Sequence, residues 1–95
     1  MEANLICAHP PRMTVTEADQ LLIAFATTLR RMRHNADLSQ EELAHRAGKS
    51  IRYISLLESC KHQPSLDTIK GICDGLDVKI SAFFEAVEKT DASSD

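Results

Sequence analysis

The sequence has no apolar run that approaches the ~20 residues needed for a helix to span a bilayer. It also has no glycine-rich phosphate loop, no cluster of metal ligands and no recognised setting for a catalytic triad. Alternating apolar residues, which would indicate a strand, are absent outside the first residues of the chain. These absences exclude a membrane-spanning protein, and they favour a non-enzymatic protein that has no metal ion or other cofactor.

Cysteine is scarce, and Cys7, Cys60 and Cys73 are odd in number and far apart in the chain. This pattern argues against a disulfide framework and for a reducing compartment. Cys60 and His62 have the spacing of half a metal site, but no second pair of ligands lies nearby, so we favour ordinary thiols. The sequence does not start with a basic segment followed by an apolar one, so we expect a cytoplasmic protein.

What the sequence does contain is the composition of one soluble domain, with 95 residues of which 43% are hydrophobic and 26% are charged. The net charge is −3, but it is unevenly distributed. Residues 29–62 hold seven Lys or Arg and four acids, which gives +3, whereas residues 63–95 hold three and seven, which gives −4. A basic middle third indicates an anionic partner for that segment.

Apolar residues at helical spacing predict an all-α fold with five helices. Leu21, Phe25 and Leu29 place the first helix at about residues 17–34. A fourth helix is expected to start at Pro64-Ser65, and a fifth is expected to be capped by Ser81. The predicted organisation is an N-terminal flexible or extended arm (residues 1–15), a helical domain (residues 16–88) and a disordered acidic tail (residues 89–95).

Two short helices lie between the first and the fourth. Ser39 and Glu42 have the spacing of a capping box, and the helix that they start ends at Gly48. Ser50 caps the next helix, which ends near Glu58. Helices this short are marginal alone, so packing must fix the angle between them, and glycine permits the positive φ of a tight turn. The pattern predicts a helix-turn-helix.

Six segments make this prediction more specific: SQEELA at 39–44, AG at 47–48, YIS at 53–55, LE at 57–58, PSL at 64–66, and residues 78–84. Over about residues 22–87 the sequence resembles the Cro and phage-repressor (Xre-like) helix-turn-helix family. The resemblance implies a five-helix, lambda-repressor-like DNA-binding domain. It also implies a transcriptional regulator, such as a repressor, that binds a palindromic operator in double-stranded DNA as a homodimer and lays its third helix in the major groove.

The resemblance, carried over by position, assigns residues to the DNA. Arg52 is expected to read a guanine, because a guanidinium can bridge its O6 and N7 acceptors. Gln40 is expected to meet a phosphate at the N-terminus of the second helix, and the flanking polar residues are expected to fix the register. The expected DNA-binding residues are Gln40, Lys49, Ser50, Ile51, Arg52, Ser55, Leu56, Ser59, Lys61 and His62.

Arg33 and Glu58 match a pair that often forms an internal ion bridge in this family, so we expect it to be structural. Phe83 and Val87 in the last helix are the predicted homodimer contact, since a small domain has few other places for surplus apolar surface. The alternative for Phe83 is a place in the core of the monomer.

The sequence departs from the family pattern at four positions. Lys49 stands where an apolar residue is common, and Cys60 stands where glycine is usual, so Cys60 is expected in a left-handed conformation. Ile51 and Leu56 are aliphatic where polar residues are usual. They suit thymine methyl groups, or alternatively a protein partner. The alternative function is therefore a protein-interaction module on the same scaffold, such as an antitoxin that binds a toxin.

Overall fold

A computed structural model describes residues 17–93 of the chain as five α-helices and no strand, which confirms the all-α prediction over this range. The predicted N-terminal arm lies outside the described residues. No helix within residues 17–93 is long and apolar enough to cross a membrane. The helices are α1 (Glu17–Asn35), α2 (Gln40–Ala47), α3 (Ile51–Glu58), α4 (Leu66–Leu76) and α5 (Ile80–Ser93).

One core takes buried side chains from all five helices. α5 packs along α1, where the rings of Phe25 and Phe83 meet edge to face with their centroids 5.6 Å apart. α2 packs against α3 on one side and α4 on the other. The helices at the turn are thereby supported by the longer ones. The fully buried members of the core include Leu29, Leu43, Ile54, Leu57, Ile72, Phe83 and Val87.

α5 differs from its predicted bounds at both ends. It begins at Ile80, one residue before the predicted cap Ser81, and it continues to Ser93 through the segment expected to be disordered from Lys89. A polar contact to α1 explains the extension. Thr28 donates to the Thr90 hydroxyl oxygen at 3.2 Å, and Thr90 donates to the Ala86 carbonyl oxygen at 2.9 Å. Acidic and serine-rich composition alone does not reveal such a contact.

α4 contacts α2 at close range because glycine lies at the crossing. A Cβ added to Gly71 would lie 3.0 Å from the carbonyl oxygen of Ala47, too close for that backbone atom to accommodate without a shift. One turn on, the Arg46 guanidinium donates to the Gly75 carbonyl oxygen at 3.2 Å. Gly71 therefore lowers the helix propensity of α4 but permits the packing that holds α2 in place.

The cysteines differ from the expectation of three ordinary thiols. Cys60, directly after α3, is disulfide-bonded, whereas Cys73 in α4 is a free, buried thiol. An odd count argues against a complete framework of bridges but does not exclude one bridge, and a bridge at Cys60 removes the support that the cysteine pattern gave to a reducing compartment. Burial, with a smaller contribution from the carboxylate of Asp74, raises the pKa of the Cys73 thiol. That thiol therefore stays protonated and unreactive in the core.

Candidate nucleic-acid interface

Local hydrogen bonds fix the turn between α2 and α3. The Ser39 hydroxyl oxygen accepts from the amide of Glu42 at 3.0 Å, and the Glu42 carboxylate accepts from the amide of Ser39 at 3.2 Å, so the capping box is complete. Gly48 has φ 71° in the left-handed region. The Ser50 hydroxyl oxygen accepts from the amide of Tyr53 at 3.0 Å and begins α3. A short sequence therefore ends one helix and starts the next in a defined direction.

α3 has one buried side and one exposed side. Ile54 and Leu57 are fully buried on the inner side. On the outer side, Ile51, Arg52 and Ser55 are exposed, with Ile51 keeping half of its surface. At 100° per residue, these outer positions and the half-buried Leu56 lie within an arc of about 140°. The helix can therefore present this outer side to a partner without losing its packing.

A buried ion pair holds α3 against α1. The Arg33 guanidinium donates to both carboxylate oxygens of Glu58, at 2.6 Å from Nε to Oε2 and 3.0 Å from Nη2 to Oε1. Its Nη1 donates to the Leu38 carbonyl oxygen at 2.8 Å, and the Gln40 amide donates to Glu58 Oε1 at 3.0 Å. The pair therefore joins the end of α1, the turn after it, the start of α2 and the end of α3.

The same ion pair leaves the outer side of α3 basic. Glu58 is the one acidic residue between positions 49 and 63, and it is buried against Arg33. The positive charges of Lys49, Arg52 and Lys61 therefore have no acidic partner within their own segment. Arg52 is exposed and makes no ion pair with any residue of the range 17–93.

Tyr53 positions two flanking side chains of this surface. Lys49 Nζ lies 5.7 Å from the centroid of the Tyr53 ring, and the His62 ring packs edge to face on it at 5.0 Å. The Tyr53 hydroxyl lies 3.3 Å from the Thr68 hydroxyl, which ties the ring to α4. The four-residue spacing between Lys49 and Tyr53 is the sequence signal for this contact.

The turn after α3 has the left-handed conformation expected at Cys60, whose φ is 63°. This conformation lets the amide of Lys61 donate to the Leu56 carbonyl oxygen at 2.9 Å, which caps the helix. The Ser59 hydroxyl donates back to the Ser55 carbonyl oxygen at 2.8 Å, so it is already used inside the protein. Lys61 and His62 are exposed directly beyond the turn.

None of the ten residues assigned to DNA is buried. Gln40 and Ser50 use side-chain atoms in internal hydrogen bonds, as Ser59 does, so their part in binding would be limited to their remaining donors or acceptors. Ser50, Ile51, Arg52, Ser55, Lys61 and His62 are exposed, and Gln40, Lys49, Leu56 and Ser59 are half-buried. The candidate DNA surface consists of these ten residues.

Phe83 and Val87 do not lie on the surface, which corrects their assignment to a dimer contact. Their exposed fractions are 0% and 1%, and both belong to the monomer core between α1 and α5. The helical periodicity of α5 shows which of its sides is apolar, but it does not show whether that side packs in the core or against a second copy. The structure has Phe83 in the core, which is the alternative considered for it.

The site offers no obvious place for a metal ion. Within residues 17–93 no group of three or more His, Cys, Asp or Glu side chains is arranged to hold one. Cys60, half of the Cys60–His62 pattern, is engaged in a disulfide and has no thiolate to offer.

Comparison with known proteins identifies the family of the domain. The sequence profile of a helix-turn-helix domain family matches residues 24–81. The wild-type restriction-modification controller protein C.Esp1396I is similar in structure, with a TM-score of 0.71, 27% identity and coverage of 74% of this chain and 92% of that chain. The clp gene regulator ClgR of Corynebacterium glutamicum has a TM-score of 0.74 and 23% identity, over 78% of this chain and 79% of that chain. No curated protein sequence matches.

Proposed function

Because the chain belongs to the family of helix-turn-helix domains, we propose that it is a non-enzymatic transcriptional regulator that binds double-stranded DNA. The observation that carries the proposal is the outer side of α3. It exposes Arg52, and Lys49 and Lys61 flank the helix in the sequence, while Glu58, the one acid between positions 49 and 63, is buried and paired with Arg33. A short exposed helix with this charge fits the major groove of B-DNA. We propose a cytoplasmic location on the ground of this proposed partner.

The proposed assembly is a homodimer on a palindromic operator, with half-sites about one helical turn, ~34 Å, apart. Phe83 and Val87 have no surface to offer a second copy. The contact is therefore proposed among apolar side chains that stay exposed. Leu66 at the start of α4 and Ile80 at the start of α5 are exposed and lie outside α3.

The experiment that tests this function is a selection of duplexes from random double-stranded DNA by the purified protein, followed by sequencing of the bound fraction. We expect enrichment of one motif with two-fold symmetry, since each copy would read the same half-site. A single asymmetric motif would contradict the symmetric dimer but not DNA binding. No enrichment above the starting library would contradict sequence-specific recognition.

Arg52→Ala is expected to weaken binding to the selected operator by about 1 to 3 kcal/mol while non-specific binding changes much less. The reason is that a guanidinium that bridges O6 and N7 of guanine distinguishes that base from the other three. The measurement is a titration of labelled operator and of a scrambled duplex by fluorescence anisotropy. Unchanged discrimination between the two duplexes would remove Arg52 as the base reader.

Lys61→Ala is the comparison variant for Arg52→Ala, because it removes a positive charge just beyond α3. We expect weaker binding to both duplexes alike and a salt dependence that is shallower by about one unit of log K per log salt. This result would separate a phosphate contact from base reading. An effect on the operator alone would make Lys61 a base reader as well.

The second candidate function is a protein-interaction module with DNA binding secondary. The exposed side chain of Ile51 at the start of α3 favours it, because half of its apolar surface remains uncovered. Salt dependence separates the two functions. Neutralising phosphates releases counterions, so DNA binding weakens steeply with salt, whereas an interface built on Ile51 would show little slope.

A further inference from the structure

Ile51, the first residue of α3, is an apolar side chain on a polar surface. Among the residues of α3, all of which the structure describes, it is the one large apolar side chain that is exposed, with 50% of its surface uncovered. The exposed residues next to it on the outer side are Ser50, Arg52 and Ser55. Other residues form the buried side of the helix, so packing within the monomer does not account for an isoleucine at this position.

The polar surroundings of Ile51 distinguish a nucleic acid from a protein as its partner. Protein-binding surfaces are contiguous apolar patches, commonly of about 300–600 Å² on a monomer. The other large apolar side chains that are exposed in the described part of the chain are Leu21, Leu66 and Ile80, and all of them lie on other helices. Ile51 therefore stands alone on α3. One aliphatic group beside Arg52 matches a ligand that combines a small apolar group with hydrogen-bond acceptors.

The major groove of DNA offers that combination. A guanine displays its O6 and N7 acceptors there, and a thymine displays the methyl group on its C5 atom. 5-Methylcytosine carries the same methyl group at the same edge of the base. Consecutive Cα atoms lie about 3.8 Å apart, close to the ~3.4 Å between successive bases of one strand, so Ile51 and Arg52 can reach neighbouring base pairs.

We propose that Ile51 reads the C5-methyl group of a pyrimidine in the base pair next to the guanine that Arg52 bridges. This role rests on the proposed DNA binding and names part of the half-site, a thymine with an adjacent guanine. It also gives the protein a response to DNA modification, because methylation of a cytosine at that position supplies the same group. Isoleucine suits this role, since its β-branch leaves one strongly preferred χ1 rotamer in a helix and little side-chain entropy remains to be lost on contact.

The test replaces the thymines of the selected operator with uracil, one at a time, and measures the Kd of each duplex by fluorescence anisotropy. Uracil pairs with adenine as thymine does and lacks only the methyl group, so the protein itself is unchanged. We expect about fourfold weaker binding when one particular thymine of a half-site, beside the guanine that Arg52 distinguishes, is replaced, which is the effect of leaving one methyl-sized group uncovered. A motif with no thymine beside that guanine, or uracil tolerated at every position, would overturn the proposal.

Ile51→Ala links the effect to the side chain. This variant should bind the thymine and uracil operators equally, whereas the parent chain prefers thymine by about fourfold. Leu21→Ala is the matched control and should keep the preference, because Leu21 has nearly the same exposure, 49%, but lies in α1. Circular dichroism should show the parent helical signal in both variants. A preference for thymine that survives in Ile51→Ala would overturn the assignment, and operator binding equal to that of the parent chain would assign Ile51 to a protein partner instead.

Cytosine and 5-methylcytosine at the same position form the second arm of the test, because these two bases also differ by the methyl group alone. We expect the methylated duplex to bind the parent chain about fourfold more tightly, and this advantage should disappear in Ile51→Ala. Equal binding of the two duplexes would overturn the response to methylation. An enriched motif without any methyl effect would overturn the role of Ile51 alone, whereas the absence of an enriched motif would overturn the proposed sequence-specific function together with it.

Discussion

Replacing Arg33 with methionine is expected to lower the free energy of unfolding by about 3 to 5 kcal/mol. The Glu58 carboxylate is buried, and without the guanidinium its charge would be left with the Gln40 amide as its remaining side-chain donor. The carbonyl oxygen of Leu38 would also lose the Arg33 donor that lies 2.8 Å away. Urea denaturation followed by circular dichroism measures the change, because the slope of the transition stays constant while its midpoint moves.

The control for Arg33→Met is the exposed pair between Lys70 and Asp74, whose nitrogen–oxygen distance is 2.9 Å. Lys70→Met should leave the midpoint almost unchanged, because exposed pairs contribute little. The double substitution Arg33→Met with Glu58→Leu should recover much of the stability, since it removes both buried charges. Equal effects of Arg33→Met and Lys70→Met would show that the Arg33 pair is solvated in solution.

The helix-turn-helix could be predicted from the sequence because its determinants are local. A capping box needs only Ser39 and Glu42 at a fixed spacing, and the turn needs a residue that tolerates positive φ, which Gly48 supplies. Each of these hydrogen bonds joins residues a few positions apart. Local chemistry of this kind can be read without knowledge of the rest of the fold.

The features that the sequence did not reveal depend on distant parts of the chain. The continuation of α5 beyond Lys89 rests on the contact between Thr28 and Thr90, which are 62 positions apart. The disulfide at Cys60 needs a second cysteine that folding brings near, and spacing alone does not indicate it. The close crossing at Gly71 is visible only once Ala47 is in place.

The features of the candidate site also fall into those that local sequence determines and those that depend on distant parts of the chain. The outward positions of α3 follow from helical periodicity, so Ile51, Arg52 and Ser55 could be placed from the sequence. Their charge environment could not, because the +3 count for residues 29–62 included Glu58 as though it were exposed. Its pairing with Arg33, the long-range partner that the family resemblance supplied, removes one acid and one base together, so the net charge of the range stays +3. What changes is the distribution, because the remaining acids of the range, Asp37, Glu41 and Glu42, all lie before α3.

Replacing Phe83 with aspartate is expected to unfold the chain rather than to dissociate a dimer. The ring is fully buried and packs edge to face against Phe25 and Phe84, at 5.6 and 5.8 Å between centroids. Removal of a buried phenylalanine side chain costs about 3 to 5 kcal/mol in cavity and transfer terms, and a buried carboxylate adds its desolvation. The sum approaches the whole stability of a small domain. Circular dichroism should show the loss of most helical signal.

Ala82→Asp provides the matched control, since the neighbouring side chain in α5 is exposed and the same charge is added. It should retain the helical signal and the melting temperature of the parent chain. Sedimentation of the same samples separates the two roles considered for Phe83, a dimer contact and a position in the core of the monomer. If Phe83→Asp stays folded and sediments at half the mass of a dimeric parent, the side chain must face a second copy in solution. If Phe83→Asp unfolds and Ala82→Asp stays folded, the Phe83 side chain belongs to the core of the monomer. Any dimer contact must then be sought among side chains that are exposed.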